Sequence, residues 1–152
     1  MLSIIIAINH LYLEHIVLNR RLMLIWCNPH PTKGHEQHGY RASIVISDGL
    51  IDPSLNKMAL TVPVTSQVRG HSFEIPVPPG IQTPDSSLLP PHLHFRELTG
   101  VVLINNVRSI DLDKREAIVI GKVDTDSDFF EDIIDNVMGL LAYPEDDEDI
   151  DY

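Results

Sequence analysis

Leu60-Thr61-Val62-Pro63-Val64-Thr65-Ser66-Gln67-Val68-Arg69-Gly70-His71-Ser72-Phe73-Glu74-Ile75 decides the fold. It reads as a strand, a hydroxyl-rich turn and a second strand, and it makes the chain mainly β at its centre. Upstream, Pro31-Thr32-Lys33-Gly34-His35-Glu36-Gln37-His38-Gly39-Tyr40-Arg41 is a polar loop that delivers an arginine to the apolar run Ala42 to Ser47. Gly34 and Gly39 let the backbone turn where side chains would clash. Lys33 and Arg41 flank the loop, and His35, Glu36 and His38 exchange protons near neutral pH, a combination suited to handling an anion. The same residues also suit a solvated loop between two strands.

Charge is divided unevenly along the 152 residues. All 11 basic residues lie before Asp124 against 10 acids, and the remainder of the chain carries 12 acids and no base. The net charge of -11 is therefore a property of the C-terminal end, and the nearly neutral body can still present a basic patch to phosphate. The length suits one domain with a single core. Cys27 is the single cysteine, so an internal disulfide is excluded and a reducing cytoplasm fits.

Leu22 to Cys27 reads as the first strand, Ala42 to Ser47 as the second, Met58 to Val64 as the third and Phe73 to Val77 as the fourth. Gly100 to Ile104 and Glu116 to Val123 add two more, joined through Arg108 to Lys114. Asp124 to Asp128 supplies N-cap candidates for a helix from Ser127 to Leu141, whose Phe129, Phe130, Ile133, Ile134, Val137, Leu140 and Leu141 form an apolar stripe. Five to seven short strands and a terminal helix predict a small twisted sheet or partly open barrel. Residues 1 to 19 read as an added helix or strand, or as an unstructured extension. They lack the basic region and cleavage site of a signal peptide, and polar residues interrupt them too soon for a membrane span. Between Pro78 and His94 five prolines forbid a regular ladder and predict a surface loop within an insertion spanning 76–99. Pro144 stops the helix, and an acidic tail over 144–152 follows. Its acids are a solvating segment or one that folds back on a basic groove.

Pro-Thr-Lys-Gly-His-Glu-Gln from Pro31 to Gln37, Thr65-Ser66-Gln67, Gly100-Val101-Val102-Leu103 and Val107-Arg108-Ser109-Ile110-Asp111 occur in one order. With them, residues 20–143 resemble the MazF/PemK family of toxin endoribonucleases. The resemblance implies an SH3-like barrel with a C-terminal helix, a homodimer, a cognate antitoxin, and metal-independent cleavage of single-stranded RNA without a cofactor. It also implies catalytic roles for Arg41 and Thr65, and for His35 from the PemK branch. Lys33, Glu36, Gln37, Ser66, Gln67, Arg69 and Arg108 become candidates for contacting RNA, and Tyr40, His71 and Phe73 for stacking on bases.

The sequence departs from the family pattern at several points. Ala42 replaces the proline that follows the arginine, and the first strand lacks its usual Gly-Asp. Asn105 and Leu103 stand where the PemK branch has a catalytic aspartate and an arginine, so only the Arg41 and Thr65 set is intact. Two other readings of the same fold are a toxin that binds a protein target, as gyrase poisons do, and a folded but inactive toxin. A metal held by His30, His35 and His38, or by His92 with His94, matches no familiar spacing.

Overall fold

The computed structural model describes residues 23–27, 41–48, 51, 54–82 and 97–141. The expected extension at 1–19, most of the polar loop, the centre of the Pro-rich insertion and the acidic tail lie outside the described residues.

Among the described residues, seven strands and one long helix follow in order: β1 (Met23–Cys27), β2 (Arg41–Val45), β3 (Met58–Thr65), β4 (Glu74–Pro76), β5 (Val101–Leu103), β6 (Arg108–Asp111), β7 (Ile118–Lys122) and α1 (Asp128–Leu141). All the ladders are antiparallel, with strand order β4-β5-β3-β2-β1-β7 and β6 pairing with β3. The fold is thus a mainly β antiparallel sheet with a C-terminal helix. Among the described residues no ladder joins β4 to β7.

β3 is the spine of this arrangement. One of its edges pairs with β2, while the other pairs with β6 over Met58 to Thr61 and with β5 at Val64 and Thr65. Val64 faces Val102 and Thr61 faces Arg108, so six steps along one chain match three along β3. The 3-10 turn Ile104–Asn106 takes up that excess. β6 differs from the expected connection between Arg108 and Lys114. Its sequence Arg108-Ser109-Ile110-Asp111 has one apolar residue, and its extended state comes from pairing with β3 rather than from local preference.

Alternation along β2 and β3 divides the buried residues between two sides. Ala42, Ile44, Val62 and Val64 join Val102, Ile104, Ile120 and Val123 in one cluster, where α1 contributes Phe129, Ile133 and Val137 at helical spacing. Val45, Ala59, Ile110, Leu112 and Ala117 form a second cluster, and Phe130 packs partly against both. Ser127 caps α1: its Oγ accepts the Phe130 N–H at 3.3 Å and donates to the Asp124 carbonyl at 2.6 Å. Asp128 and Glu131 in the first turn complement the positive end of the helix dipole. No helix among the described residues is long and apolar enough to cross a membrane.

Candidate nucleic-acid interface

Arg41 opens β2 and Thr65 closes β3. The two strands pair Ser43 with Pro63, and Arg41 and Thr65 each lie two residues beyond that pair, at the same end. Side chains alternate along a strand, so Arg41 and Ser43 fall on the side opposite Ala42 and Ile44. Thr65 and Pro63 likewise fall opposite Val64 and Val62. The helix stripe packs against Ala42, Ile44, Val62 and Val64. Arg41 and Thr65 therefore share an end of the sheet and the side turned away from that stripe.

Arg41 is half-buried, and its Nε is fully buried with no hydrogen-bond partner among the described residues. Burying an unmatched donor costs about 1–3 kcal/mol, and more on a charged group. Thr65 is buried, and its Oγ1 accepts the Gln67 N–H at 3.2 Å, which orients the hydroxyl while leaving its own proton to be donated. A second constraint comes from β5. Gly100 has φ +104, and a Cβ there would sit 2.1 Å from the Thr65 carbonyl oxygen, so only glycine permits this approach.

Beyond Thr65 the chain forms an exposed loop through Ser66, Gln67 and Arg69. The Glu74 carboxylate accepts the Arg69 N–H at 3.0 Å and the Gly70 N–H at 2.9 Å. Burial pushes the Glu74 pKa up, but these two N–H groups, the nearby His71 and the His71 N–H outweigh it and hold the carboxyl below its ordinary value of 4.5. His71 stacks on Phe73 with ring centroids 5.0 Å apart and planes 20° from parallel. Phe73 is half-buried, between the core position and the base-stacking position that its sequence allows.

Arg108 sits opposite Thr61, whose hydroxyl donates to the Arg108 carbonyl at 3.3 Å. Its Nε and Nη2 bond the neutral Asn106 Oδ1 at 3.1 and 2.6 Å, which orients the guanidinium without cancelling its charge. By register it shares a side with Thr61, four residues and roughly 13 Å along β3 from Thr65.

Arg41 on β2, Thr65 on β3, Arg108 on β6, and Ser66, Gln67 and Arg69 in the loop that leaves β3 are thus distributed over three neighbouring strands and one loop. Lys33, His35, Glu36, Gln37 and Tyr40, with His30, His38, His92 and His94, lie outside the described residues. Among the described residues no three histidine, cysteine or carboxylate groups gather as a metal site. Sequence reasoning missed Glu74 and Gly100. The first reads as an ordinary strand residue, and the second matters through a contact 35 positions distant in sequence.

The sequence pattern of the PemK-like, MazF-like toxins of type II toxin-antitoxin systems matches residues 20–138. The chain belongs to this family. A relative from Escherichia coli strain K12, named endoribonuclease toxin MazF, is 34% identical over 100 residues, or 66% of this chain and 75% of that protein. The crystal structure of MazF from Deinococcus radiodurans matches with TM-score 0.58 and 29% identity, over 78% of this chain and 92% of the other. A MazE-MazF structure from the same organism matches at 0.55 with 29% identity, over 78% and 91%. The MazF-like family is thus supported both by the sequence pattern and by the match to solved structures.

Proposed function

We propose that this chain is a toxin endoribonuclease that cuts single-stranded RNA at selected sequences without a metal ion. The observation that carries the reading is the register of β2 and β3, which sets half-buried Arg41, whose Nε has no partner among the described residues, at the same end and on the same side of the sheet as Thr65. The 2′-hydroxyl attacks the adjacent phosphorus, the P–O5′ bond breaks, and the products are a 2′,3′-cyclic phosphate and a 5′-hydroxyl. The reaction requires a base for the 2′-hydroxyl proton, an acid for the 5′ oxygen and donors for the charge growing on the phosphate.

Arg41 suits the phosphate, since its planar donors match two oxygens, and it is also assigned the acid that gives the leaving 5′ oxygen its proton. Thr65 donates to a non-bridging oxygen. His35 is assigned the general base on its imidazole chemistry, which operates near neutral pH. Ser66, Gln67 and Arg69 position the strand beside Thr65, while Lys33, Glu36, Gln37 and Arg108 extend the contact with RNA. In the same reading the sheet closes as an SH3-like barrel, the protein is a cytoplasmic homodimer, and a cognate antitoxin covers the groove, as the solved MazE-MazF pairing suggests.

The test is incubation of a long single-stranded RNA with purified protein in EDTA, with the cut ends sequenced and their termini identified. Defined cuts with cyclic phosphate and 5′-hydroxyl ends are expected. Cutting abolished by EDTA and restored by a divalent ion would refute the metal-free mechanism, and a folded protein that cuts nothing would refute the activity.

A further inference from the structure

The loop from Ser66 to Ser72 has an order that the hydrophobic core does not supply. All seven residues are exposed, and Val68 keeps 62% of its surface accessible. Holding one residue in a single backbone conformation costs about 1–2 kcal/mol, and these side chains bury little to offset it. The compensation is local. Thr65 Oγ1 accepts the Gln67 N–H at the root of the loop, and the His71 carbonyl accepts the Glu74 N–H at 3.1 Å at its exit. Between them both Glu74 carboxylate oxygens face the Arg69 N–H, at 3.3 and 3.0 Å, and one also takes the Gly70 N–H. Gly70 adopts φ +76, the left-handed conformation that lets successive N–H groups converge on one anion.

The product is an ordered, solvent-facing segment that begins at Thr65. It displays an amide at Gln67, an apolar side chain at Val68, a cation at Arg69 and an imidazole stacked on Phe73. Amide, apolar and aromatic groups are the chemistry that reads unstacked bases, and a surface ordered before binding spends less entropy on association.

Resting on the endoribonuclease reading, we propose that Glu74 is a positioning residue whose carboxylate presets the Ser66 to Ser72 loop as the subsite for bases flanking the scissile phosphate. It touches neither RNA nor the reacting atoms. It acts through the backbone of Arg69 and Gly70, and its removal loosens base selection while the Arg41 and Thr65 chemistry continues.

The experiment compares wild type, Glu74→Gln and Glu74→Asp in steady-state cleavage of single-stranded RNA, with cut ends sequenced and melting temperature recorded. For Glu74→Gln the expected result is a KM raised about tenfold, kcat within about twofold, and cuts at sites the wild type leaves intact. Glu74→Asp, which keeps the charge, restores part of the KM and of the site selection. Should KM and the cut sites stay as in wild type, or should kcat fall in step with a lower melting temperature, the positioning role is wrong although the enzyme reading stands. A wild type that cuts nothing removes the enzyme reading, and this inference with it.

Discussion

The side of β2 and β3 that carries Ala42, Ile44, Val62 and Val64 and the side that carries Arg41, Ser43, Pro63 and Thr65 come from the same two strands, one residue out of step. The first is covered by Phe129, Ile133 and Val137 of a helix whose exposed positions include Asp128, Glu131, Asp132 and Asp135. The second ends in a buried guanidinium nitrogen without a partner among the described residues and a hydroxyl oriented by the next turn. A period of two lets adjacent residues serve stability on one side and chemistry on the other. The acids of α1 stand on an element packed against the opposite side, away from the charge that would receive phosphate. The acidity of α1 is therefore compatible with an RNA-binding surface on the other side.

The largest effect that separates the two sides is on catalysis. Arg41→Ala is expected to lower kcat about 10²–10³-fold, the usual loss for one preorganised donor to a developing charge, with the melting temperature held or raised. Ile133→Ala on the other side is expected to cost about 2–5 kcal/mol of stability, because its side chain is 0% exposed, while kcat of the folded fraction stays near wild type. Chemical denaturation with parallel RNA cleavage reads both. If the arginine change unfolded the protein and the isoleucine change stopped catalysis in folded molecules, the division between the sides would fail.

Gly100→Ala bridges the two sides, since its new Cβ meets the Thr65 carbonyl at a positive φ. The expected cost is about 1–3 kcal/mol, with kcat falling as Thr65 shifts, measurable by melting and cleavage together. The next effect depends on pH. Because the folded-state pKa of Glu74 lies below the ordinary 4.5, its contribution to loop order is complete above that value and is lost as pH falls through the lower one. The Arg69 and Gly70 amide resonances of wild type should therefore move toward those of Glu74→Gln only below the ordinary carboxylate range. The smallest effect belongs to Arg108→Ala. If the guanidinium meets one phosphate, the slope of log affinity against log salt for single-stranded RNA should shrink by about 0.7, with kcat unchanged.

Much of this was legible in the sequence, and the exceptions share a cause. The apolar runs of β2 and β3 and the stripe of α1 are local patterns, and their elements fall within a few residues of expectation, although Leu140 and Leu141 of the expected stripe are exposed beyond the buried Phe129, Ile133 and Val137. β6 was not legible, because Arg108 to Asp111 extends only along β3. Arg41 and Thr65 could be singled out by residue type and by resemblance. Their placement at one end of one ladder depends on a register that no single segment encodes. Glu74 was hidden for the same reason: its partners are backbone N–H groups whose convergence depends on the conformation at Gly70.

The most direct test of a shared Arg41 and Thr65 site is a double-mutant cycle on RNA cleavage in EDTA, with Arg41→Ala, Thr65→Ala and the double variant assayed on one mapped cut. Two groups acting on the same phosphate predict strong non-additivity, the double variant being little slower than the worse single. Fully multiplicative losses would place the two residues in independent roles and contradict the account.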